Sequence, residues 1–210
     1  GASVYSAGDL DREEFPDLHV EERSAVSIAR RLLDPLSELI KIDPKSIGVG
    51  QYQHDLAPAR LQERLDFAVV KTVNRIGADV NTASEELLRH IAGLNKNVAK
   101  SLVAYRNENG LFSSRLQLQK VKGLGAKAYE QAAGFLRLPQ AKDELDRTAI
   151  HPESYGLARK IMAELGIKSL NDENKGPALA NVDAVALSAR LNSDIYTVKD
   201  ILSILSMPFR

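Results

Sequence analysis

The sequence has no cysteine, and this absence excludes a disulfide framework, a thiolate nucleophile and a zinc site built from cysteines. Its four histidines, at positions 19, 54, 90 and 151, are scattered, and none forms the HxxxH or HExxH spacing of a local metal site. No apolar run approaches the roughly 20 residues of a membrane span, and no secretory signal opens the chain. We therefore expect a cytoplasmic protein with no metal, no cofactor and no membrane contact.

Aromatic residues are also scarce, since tryptophan is absent and aromatic side chains make up 5% of the chain. Hydrophobic content is nevertheless 44% in 210 residues, which is enough for one or two domains with packed cores and argues against disorder. The chain begins with Gly1 rather than methionine. We therefore expect a fragment or a processed product, either end of which can be a cut.

The positive charge is concentrated in one part of a chain whose formal net charge is zero. Residues 81–140 carry nine lysines and arginines against four glutamates, a balance of +5, whereas residues 1–80 carry −4 and residues 141–210 carry −1. A phosphate-binding surface requires such a local excess. The plainer alternative is an ordinary solvated helix surface with a chance imbalance.

Two short cassettes, at 91–99 and 121–129, lie 30 residues apart inside this basic segment. Each begins with an apolar stretch that is predicted to be helical. A tight turn follows, Gly-Leu-Asn at 93–95 and Gly-Leu-Gly at 123–125, and then a second helix with a lysine in its first turn. This order is the outline of a helix-hairpin-helix motif, present here as a tandem pair.

The turn matters because the first amides of a helix have no intrahelical partner and the helix dipole adds positive charge at that end. A phosphate oxygen placed there gains hydrogen bonds and favourable electrostatics together. The last position of so tight a turn is expected to need a positive φ, which Gly125 adopts easily and Asn95 tolerates. Leu94 and Leu124 are expected to fill the core between the paired helices.

We predict that the nucleic-acid-binding residues are those of the two turns and the lysines beside them. Lys96 and Lys127 lie just beyond the turns, and Lys100 and Lys122 are placed to touch neighbouring phosphates. The predicted set is Gly93, Asn95, Lys96, Lys100, Lys122, Gly123, Gly125 and Lys127. Such contacts position a protein without reading base sequence, and the affinity should fall steeply with salt.

The same residues allow a less specific interpretation, because Gly-Leu-Gly is also a generic connection between two helices. The copy that contains Asn95 is the one that we expect to serve as scaffold. A protein-interaction scaffold, whose acidic outer segments face transcription machinery, is therefore the alternative function. Charge reversal of Lys96 and Lys127 distinguishes the two, since a scaffold would keep its partner whereas a phosphate binder would lose its ligand.

Outside the cassettes the periodicity predicts a mostly helical chain. Helices are expected over 21–41 with a break at Pro35 and a cap at Asp34, over 59–76, 97–109, 152–165, 183–191 and 197–205. Capping boxes are predicted at Thr82/Glu85, Ser114/Gln117 and Thr197/Asp200. Residues 2–6 are expected to end a strand, and loops, connectors or linkers are expected at 9–17, 41–59, 140–152 and 171–177.

The cassettes and their flanks resemble the tandem helix-hairpin-helix unit of DNA-uptake and transcription proteins. The flanks are Asp-Val-Asn-Thr-Ala-Ser at 79–84 and Tyr-Arg-Asn-Glu-Asn-Gly-Leu-Phe at 105–112. Other parts of the sequence resemble more narrowly the Tex family of bacterial transcription accessory proteins. These parts are the stretches 1–7, 25–31, 41–55, 132–137 and 149–153. The resemblance covers nearly the whole chain.

The resemblance implies a mostly α fold with a remnant of an α/β ribonuclease-H-like domain at the N-terminus. Residues 1–58 would be the C-terminal part of that YqgF-type domain and a connector, residues 59–139 the tandem hairpin domain, and residues 140–210 a second small helical domain of hairpin type. The family's S1 domain is expected to be missing. The implied ligands are the phosphate backbones of DNA or RNA, and the implied partners are RNA polymerase or other transcription proteins.

Two catalytic alternatives compete with this non-enzymatic interpretation. A ribonuclease-H-like nuclease needs several carboxylates around Mg²⁺, and Glu22, the candidate final acid, is better interpreted as a solvated glutamate at a helix start. A base-excision glycosylase has a Gly-x-Gly hairpin and a catalytic aspartate downstream, where Asp143 and Asp146 lie. It also needs a base-flipping pocket with aromatic side chains, and residues 139–150 contain none. We therefore predict that the protein is not an enzyme.

Overall fold

The computed structural model describes residues 2–48, 50–51 and 53–208, and most of these residues are helical, as the sequence predicts. The chain begins with four helices, α1 (Ala2–Ser6), α2 (Asp9–Glu14), α3 (Val20–Leu33) and α4 (Pro35–Leu39). The predicted break at Pro35 is confirmed. The carboxylate of Asp34 accepts a hydrogen bond from the amide of Ser37 at 3.0 Å and so caps α4, whose first residue is the proline.

Two predictions for the N-terminal residues are wrong. Residues 2–6 form α1 rather than the end of a strand, and α2 occupies most of the stretch that was expected to be a loop. α1 packs on α3 and buries Tyr5, and this tertiary contact decides the conformation where five residues carry no clear period. In α2, Asp9 and Asp11 lie in the first turn, where the helix dipole favours negative charge.

Charged side chains of the N-terminal helices meet around the buried ammonium of Lys41. The ammonium of Lys41, with its side chain 2% exposed, lies 2.9 Å from Oε1 of Glu14 and 3.0 Å from Oε2 of Glu38. The Tyr5 hydroxyl also donates to Glu14. Burial raises the pKa of Glu14, but the hydrogen bonds from Tyr5 and Lys41 outweigh burial, so the pKa lies below its usual value. Glu14 is therefore ionised at neutral pH and forms ion pairs with Lys41 and Arg30 of the N-terminal region.

A long helix, α5 (Pro58–Ile76), leads into the hairpin region, and Gly77 ends it at φ 79°, as predicted. Two short strands border the hairpin region. β1 (Ala78–Asp79) comes before the hairpins and β2 (Leu136–Arg137) comes after them. They pair in parallel, with Ala78 opposite Leu136 and Asp79 opposite Arg137. The first and last residues of the tandem hairpin unit are thereby brought side by side.

The hairpin unit contains the helices α6 (Glu85–Leu88), α7 (Lys96–Asn109) and α8 (Ala126–Ala132), with a 3₁₀ helix at Arg115–Lys120. Leucines from each half, Leu87, Leu102, Leu118 and Leu136, are at most 1% exposed in one shared hydrophobic core. The two halves therefore fold as one packed unit. The apolar stretches that open the two cassettes are not helical as predicted, because α6 ends at Leu88 and the 3₁₀ helix at Lys120.

Two of the three predicted capping boxes are wrong and one is partly confirmed. Ser84 rather than Thr82 caps α6, because the Thr82 hydroxyl donates to Asp34 instead. Ser114 does accept a hydrogen bond from the amide of Gln117, but the Gln117 side chain returns to the amide of Ser113. Tertiary contacts thus choose among neighbouring hydroxyls that the sequence pattern cannot rank.

The C-terminal part is built from α9 (Tyr155–Glu164), α10 (Lys175–Ala180), α11 (Ala184–Arg190) and α12 (Ile195–Ser206). They enclose a second core, in which the residues Ile161, Leu187, Val198 and Leu205 are fully buried. The predicted loop at 171–177 is wrong at its end, where α10 begins. The predicted Thr197/Asp200 box is also wrong, because Asp194 caps α12 by accepting from the amide of Thr197 at 2.8 Å.

Residues 140–152 are not the linker that their polarity predicts. They contain 3₁₀ turns at Glu144–Arg147 and, just beyond Ile150, at Pro152–Ser154, and they bury Leu145 and Ile150 in the second core. The reason lies outside the segment, in Arg115, which is 1% exposed. Its guanidinium donates to the backbone carbonyls of Leu136, Leu145, Thr148 and Ile150 and to the Tyr155 hydroxyl.

Asp146 completes this arrangement from the other side. Its two carboxylate oxygens accept from the amide of Arg115 at 3.0 Å and from the Tyr155 hydroxyl at 2.6 Å. Burial raises the pKa of Tyr155, so its hydroxyl remains a donor at neutral pH. The second hairpin is therefore joined to the C-terminal helices by a buried polar network. Proposed boundaries between domains at 58/59 and 139/140 stay a prediction.

Across the described ranges, no helix is both long enough and apolar enough to cross a bilayer.

Replacing Arg115 with methionine should lower the free energy of unfolding by at least about 3 kcal/mol, because several buried carbonyls would lose their donor at once. Urea denaturation followed by circular dichroism measures this change. Arg159→Met is the matched control, since Arg159 pairs with Asp143 at an exposed position and should cost less than about 1 kcal/mol. Equal losses in the two variants would contradict the structural role of Arg115.

Candidate nucleic-acid interface

The two predicted hairpin turns have the same backbone geometry. Gly93 and Gly123, which open the turns, have φ of 84° and 86°. Asn95 and Gly125, which close them, are extended, with ψ of 174° in both, and each is the N-cap of the helix that follows. The tandem motif that the spacing predicts is therefore present as two matching turns.

The position that requires glycine differs from the prediction. A positive φ was expected at the last residue of each turn, but Asn95 has φ −102° and Gly125 has φ −71°, which any residue adopts. The strained conformation lies at the first residue, where both copies have glycine. Asn95 is thus tolerated because its position makes no special demand on φ. Leu94 and Leu124 are 7% and 3% exposed, so their predicted place in the core is confirmed.

Each turn rests on the second helix of the other hairpin. A Cβ added at Gly93 would lie 2.8 Å from Cβ of Gln131 and 2.9 Å from the carbonyl oxygen of Ala128, both in α8. A Cβ added at Gly123 would lie 3.4 Å from Cγ2 of Val98 in α7. The two hairpins therefore pack against each other through their turns. At position 93 glycine is needed for a second reason besides its positive φ, since any side chain there would collide with α8.

The two helix N-termini differ in how their amides are satisfied. The Asn95 side chain accepts a hydrogen bond from the amide of Val98 at 2.9 Å, so α7 is capped by its own chain. Gly125 has no side chain and provides no such cap for α8. Space around Gly125 is open, with no heavy atom within 4 Å of an added Cβ. An anion therefore finds more unsatisfied amides at the second turn than at the first.

The four predicted lysines are exposed but lie in two different settings. Lys96 and Lys100 line one cleft, of about 360 Å³, together with four glutamates, Glu13, Glu14, Glu85 and Glu86. Lys122 and Lys127 flank the second turn, and neither lines that cleft. Among the described ion pairs, none includes any of the four lysines.

The structure also corrects the charge balance of the segment 81–140. Three of its nine bases do not contribute a free surface charge. Arg106 donates to the carbonyls of Val80 and Ala83, Arg115 is buried in the network described above, and Arg137 is half-buried, with its side chain against Gly77. Burial lowers the pKa of both Arg106 and Arg137. The exposed excess of positive charge is therefore smaller than the count of residues indicates.

A third turn of similar form, which is not among the turns predicted from the sequence, lies in the C-terminal part. Between α11 and α12, Asn192 has φ 48°, and among the described residues it is the non-glycine residue with positive φ. Asp194 is the N-cap of the next helix. The signal was the Asn-Ser-Asp order at 192–194, in which asparagine and aspartate replace the glycines. Because Asp194 places a carboxylate at the helix N-terminus, this turn disfavours phosphate.

The carboxylates considered for catalysis have structural contacts. Oε2 of Glu22 accepts from the amide of His19 at 2.8 Å and so caps α3. Asp143 caps the 3₁₀ helix that follows it and pairs with Arg159, and Asp146 is 4% exposed beside Arg115. In the part of the chain that the structure describes, no group of three or more histidine, aspartate or glutamate side chains is placed to hold a metal ion.

Three family models match parts of the chain. Residues 73–137 match a helix-hairpin-helix motif, residues 143–210 match a helix-hairpin-helix domain, and residues 1–33 match the YqgF-like domain of the Tex protein. The third turn, at 192–194, lies within the second of these ranges. The N-terminal match agrees with the ribonuclease-H-like remnant that the resemblance implies.

Curated relatives match the chain along its whole length. The transcriptional accessory protein Tex of Neisseria gonorrhoeae is 51% identical over 210 residues, covering 100% of this chain and 28% of that protein. The protein YhgF of Escherichia coli is 49% identical, covering 100% and 27%. The human S1 RNA-binding domain-containing protein 1 is 36% identical, covering 99% and 26%. The chain spans less than a third of the length of these relatives.

Replacing Gly93 with alanine should destabilise the protein more than the same change at Gly123. Both glycines have the same positive φ, so the strain of alanine is shared, but only at Gly93 does the new methyl group collide with backbone of α8. The difference in the free energy of unfolding should be about 1–3 kcal/mol. Denaturant titration of both variants measures it, and equal values would show that the contact with α8 relaxes without cost.

Proposed function

Since the chain belongs to the Tex family, we propose that it binds the phosphate backbone of DNA or RNA without reading base sequence, as part of a transcription accessory factor. The single observation that carries the proposal is the second turn. There Gly123 shapes the turn at φ 86°, and Gly125 leaves the start of α8 without a side-chain cap. The match of residues 73–137 to the helix-hairpin-helix motif supports it independently.

The proposed contacts follow from the geometry of that turn. Uncapped amides at the start of α8 donate to a phosphate oxygen, and the helix dipole favours its negative charge. Lys127 in the first turn of α8 and Lys122 before the glycine are exposed and supply positive charge beside it. Gly93, Asn95, Lys96 and Lys100 form the corresponding set at the first turn. None of these groups distinguishes one base from another, so affinity should be independent of sequence and sensitive to salt.

The wider role proposed for the chain is non-enzymatic. The carboxylates considered for nuclease or glycosylase chemistry make structural contacts instead. Glu22 and Asp143 cap helices, and Asp146 accepts a hydrogen bond from the amide of Arg115. Two relatives carry names that refer to transcription and to RNA binding, "Transcriptional accessory protein Tex" and "S1 RNA-binding domain-containing protein 1". On the basis of these names, we propose RNA polymerase or another transcription protein as the partner of this chain. We propose the cytoplasm as its location.

A scaffold function is the second candidate, and one observation favours it. The third turn carries Asp194 at the helix start and exposes the ring of Tyr196, which is 74% accessible. An acidic turn with an exposed aromatic side chain suits a protein partner better than a phosphate. In this alternative the hairpins hold the chain in shape, and nucleic-acid affinity lies in other parts of the longer protein.

Fluorescence anisotropy separates these functions. Labelled single- and double-stranded DNA and RNA are titrated with the folded chain at low and at moderate salt. Binding that weakens with salt and is similar for unrelated base sequences supports the proposal, and the ligand bound most tightly identifies the nucleic-acid class. If the folded chain binds none of the four ligands at low salt, the phosphate-binding proposal is wrong and the scaffold function is the remaining candidate.

Gly125→Asp should weaken nucleic-acid binding at least about tenfold, because a carboxylate would occupy the helix start where the phosphate is proposed to bind. The fold should not suffer, since φ at this position is −71°, the surrounding space is open and aspartate is a good N-cap. Gly125→Asn should give an intermediate loss, because its amide oxygen caps α8 without adding charge.

Gly176→Asp is the matched control for that variant. Gly176 is the second residue of α10, also with open space around it, so the change adds the same charge near another helix start far along the chain. It should alter affinity by less than about twofold. A loss at Gly176→Asp as large as at Gly125→Asp would mean that overall charge, rather than the second turn, governs binding.

A further inference from the structure

The first hairpin lies beside carboxylates of two different helices. The cleft that Lys96 and Lys100 line is closed by Glu13 and Glu14 of α2 and by Glu85 and Glu86 of α6. Formal charge in this cleft is therefore two positive against four negative. Lys122 and Lys127, beside the second turn, do not line this cleft, and the glutamate of α8 is Glu130, three residues after Lys127.

Two of the four glutamates are neutralised by other cations. Glu14 is paired with Lys41 and lies 3.2 Å from Nη1 of Arg30, and Glu86 lies 3.0 Å from Nη1 of Arg89. Among the described ion pairs, none includes Glu13 or Glu85. These two carboxylates thus balance the charge of Lys96 and Lys100 across the cleft.

A phosphate approaching Lys96 and Lys100 meets the negative charge of the cleft that they line. It would lose part of the attraction of Lys96 and Lys100, because both lysines share their cleft with Glu13 and Glu85. The amide of Val98 is also taken by Asn95. Both effects act against phosphate at the first turn, whereas Gly125 provides no side-chain cap at the second and its lysines lie outside this cleft.

We propose that Glu13 and Glu85 are specificity-determining residues that keep nucleic acid off the first hairpin and direct it to the second. The inference rests on the proposed function and deepens it, since it states which of two geometrically equal turns is used. α2 lies within the range that matches the YqgF-like domain, so the N-terminal region sets the binding mode of the hairpin unit. The chain therefore holds the nucleic-acid backbone through one hairpin.

The test is the double variant Glu13→Gln/Glu85→Gln in the anisotropy titration with duplex DNA and with single-stranded RNA. Removing both carboxylates should raise affinity about three- to tenfold at low salt. The slope of log affinity against log salt should steepen by about one for each additional phosphate engaged. Adding Lys96→Ala and Lys100→Ala to this variant should abolish the gain.

The matched control is Glu63→Gln/Glu173→Gln, which removes the same two charges from exposed positions in α5 and in the segment before α10. A gain in this control equal to that in the cleft variant would overturn the inference and leave the proposed function intact. So would a wild-type chain that loses as much affinity on Lys96→Ala/Lys100→Ala as on Lys122→Ala/Lys127→Ala. Absence of binding by both the wild type and the cleft variant would overturn the proposed function itself.

Discussion

The buried guanidinium of Arg115 is the interaction on which the arrangement of the chain depends. It is a fully desolvated charge, which is costly unless every donor finds an acceptor. Here the acceptors are carbonyls from the end of the hairpin unit and from the segment that leads to the C-terminal helices, together with a tyrosine hydroxyl. Neither segment can move without leaving donors or acceptors unpaired. The residues beyond 140 are consequently fixed against the base of the second hairpin, although their own composition is that of a loop.

A second constraint, the left-handed first residue of each turn, explains why the two hairpins can diverge elsewhere. With the bend fixed by Gly93 and Gly123, the N-cap position is free to vary, and the three turns of the chain carry glycine, asparagine and aspartate there. The same fold thus presents an open helix start, a neutral closed one and an acidic closed one. The turns therefore differ chemically at a position that has little effect on the path of the backbone.

The sequence predicts much of this because its strongest signals are local. Helical periodicity, the helix ends at 76 and 109, and the pair of Gly-Leu cassettes depend on neighbouring residues only. The predictions that were wrong depend on distant ones. Thr82 is drawn away from its helix by Asp34, residues 2–6 take their conformation from α3, and the polar stretch after 140 is ordered by Arg115. The acidic surroundings of Lys96 also could not be predicted, because Glu13 is remote in sequence and only the packing of α2 brings it near.

The parallel pairing of β1 with β2 has a consequence for how the hairpin unit sits in a longer polypeptide. Ala78 lies opposite Leu136, so the chain arrives at and departs from the unit at neighbouring points on one edge. A module with adjacent ends can be inserted between two other domains without forcing them apart. It behaves like a side branch of the chain rather than a spacer along it. The parts of the chain on either side of such a module can remain within reach of each other and of the hairpins.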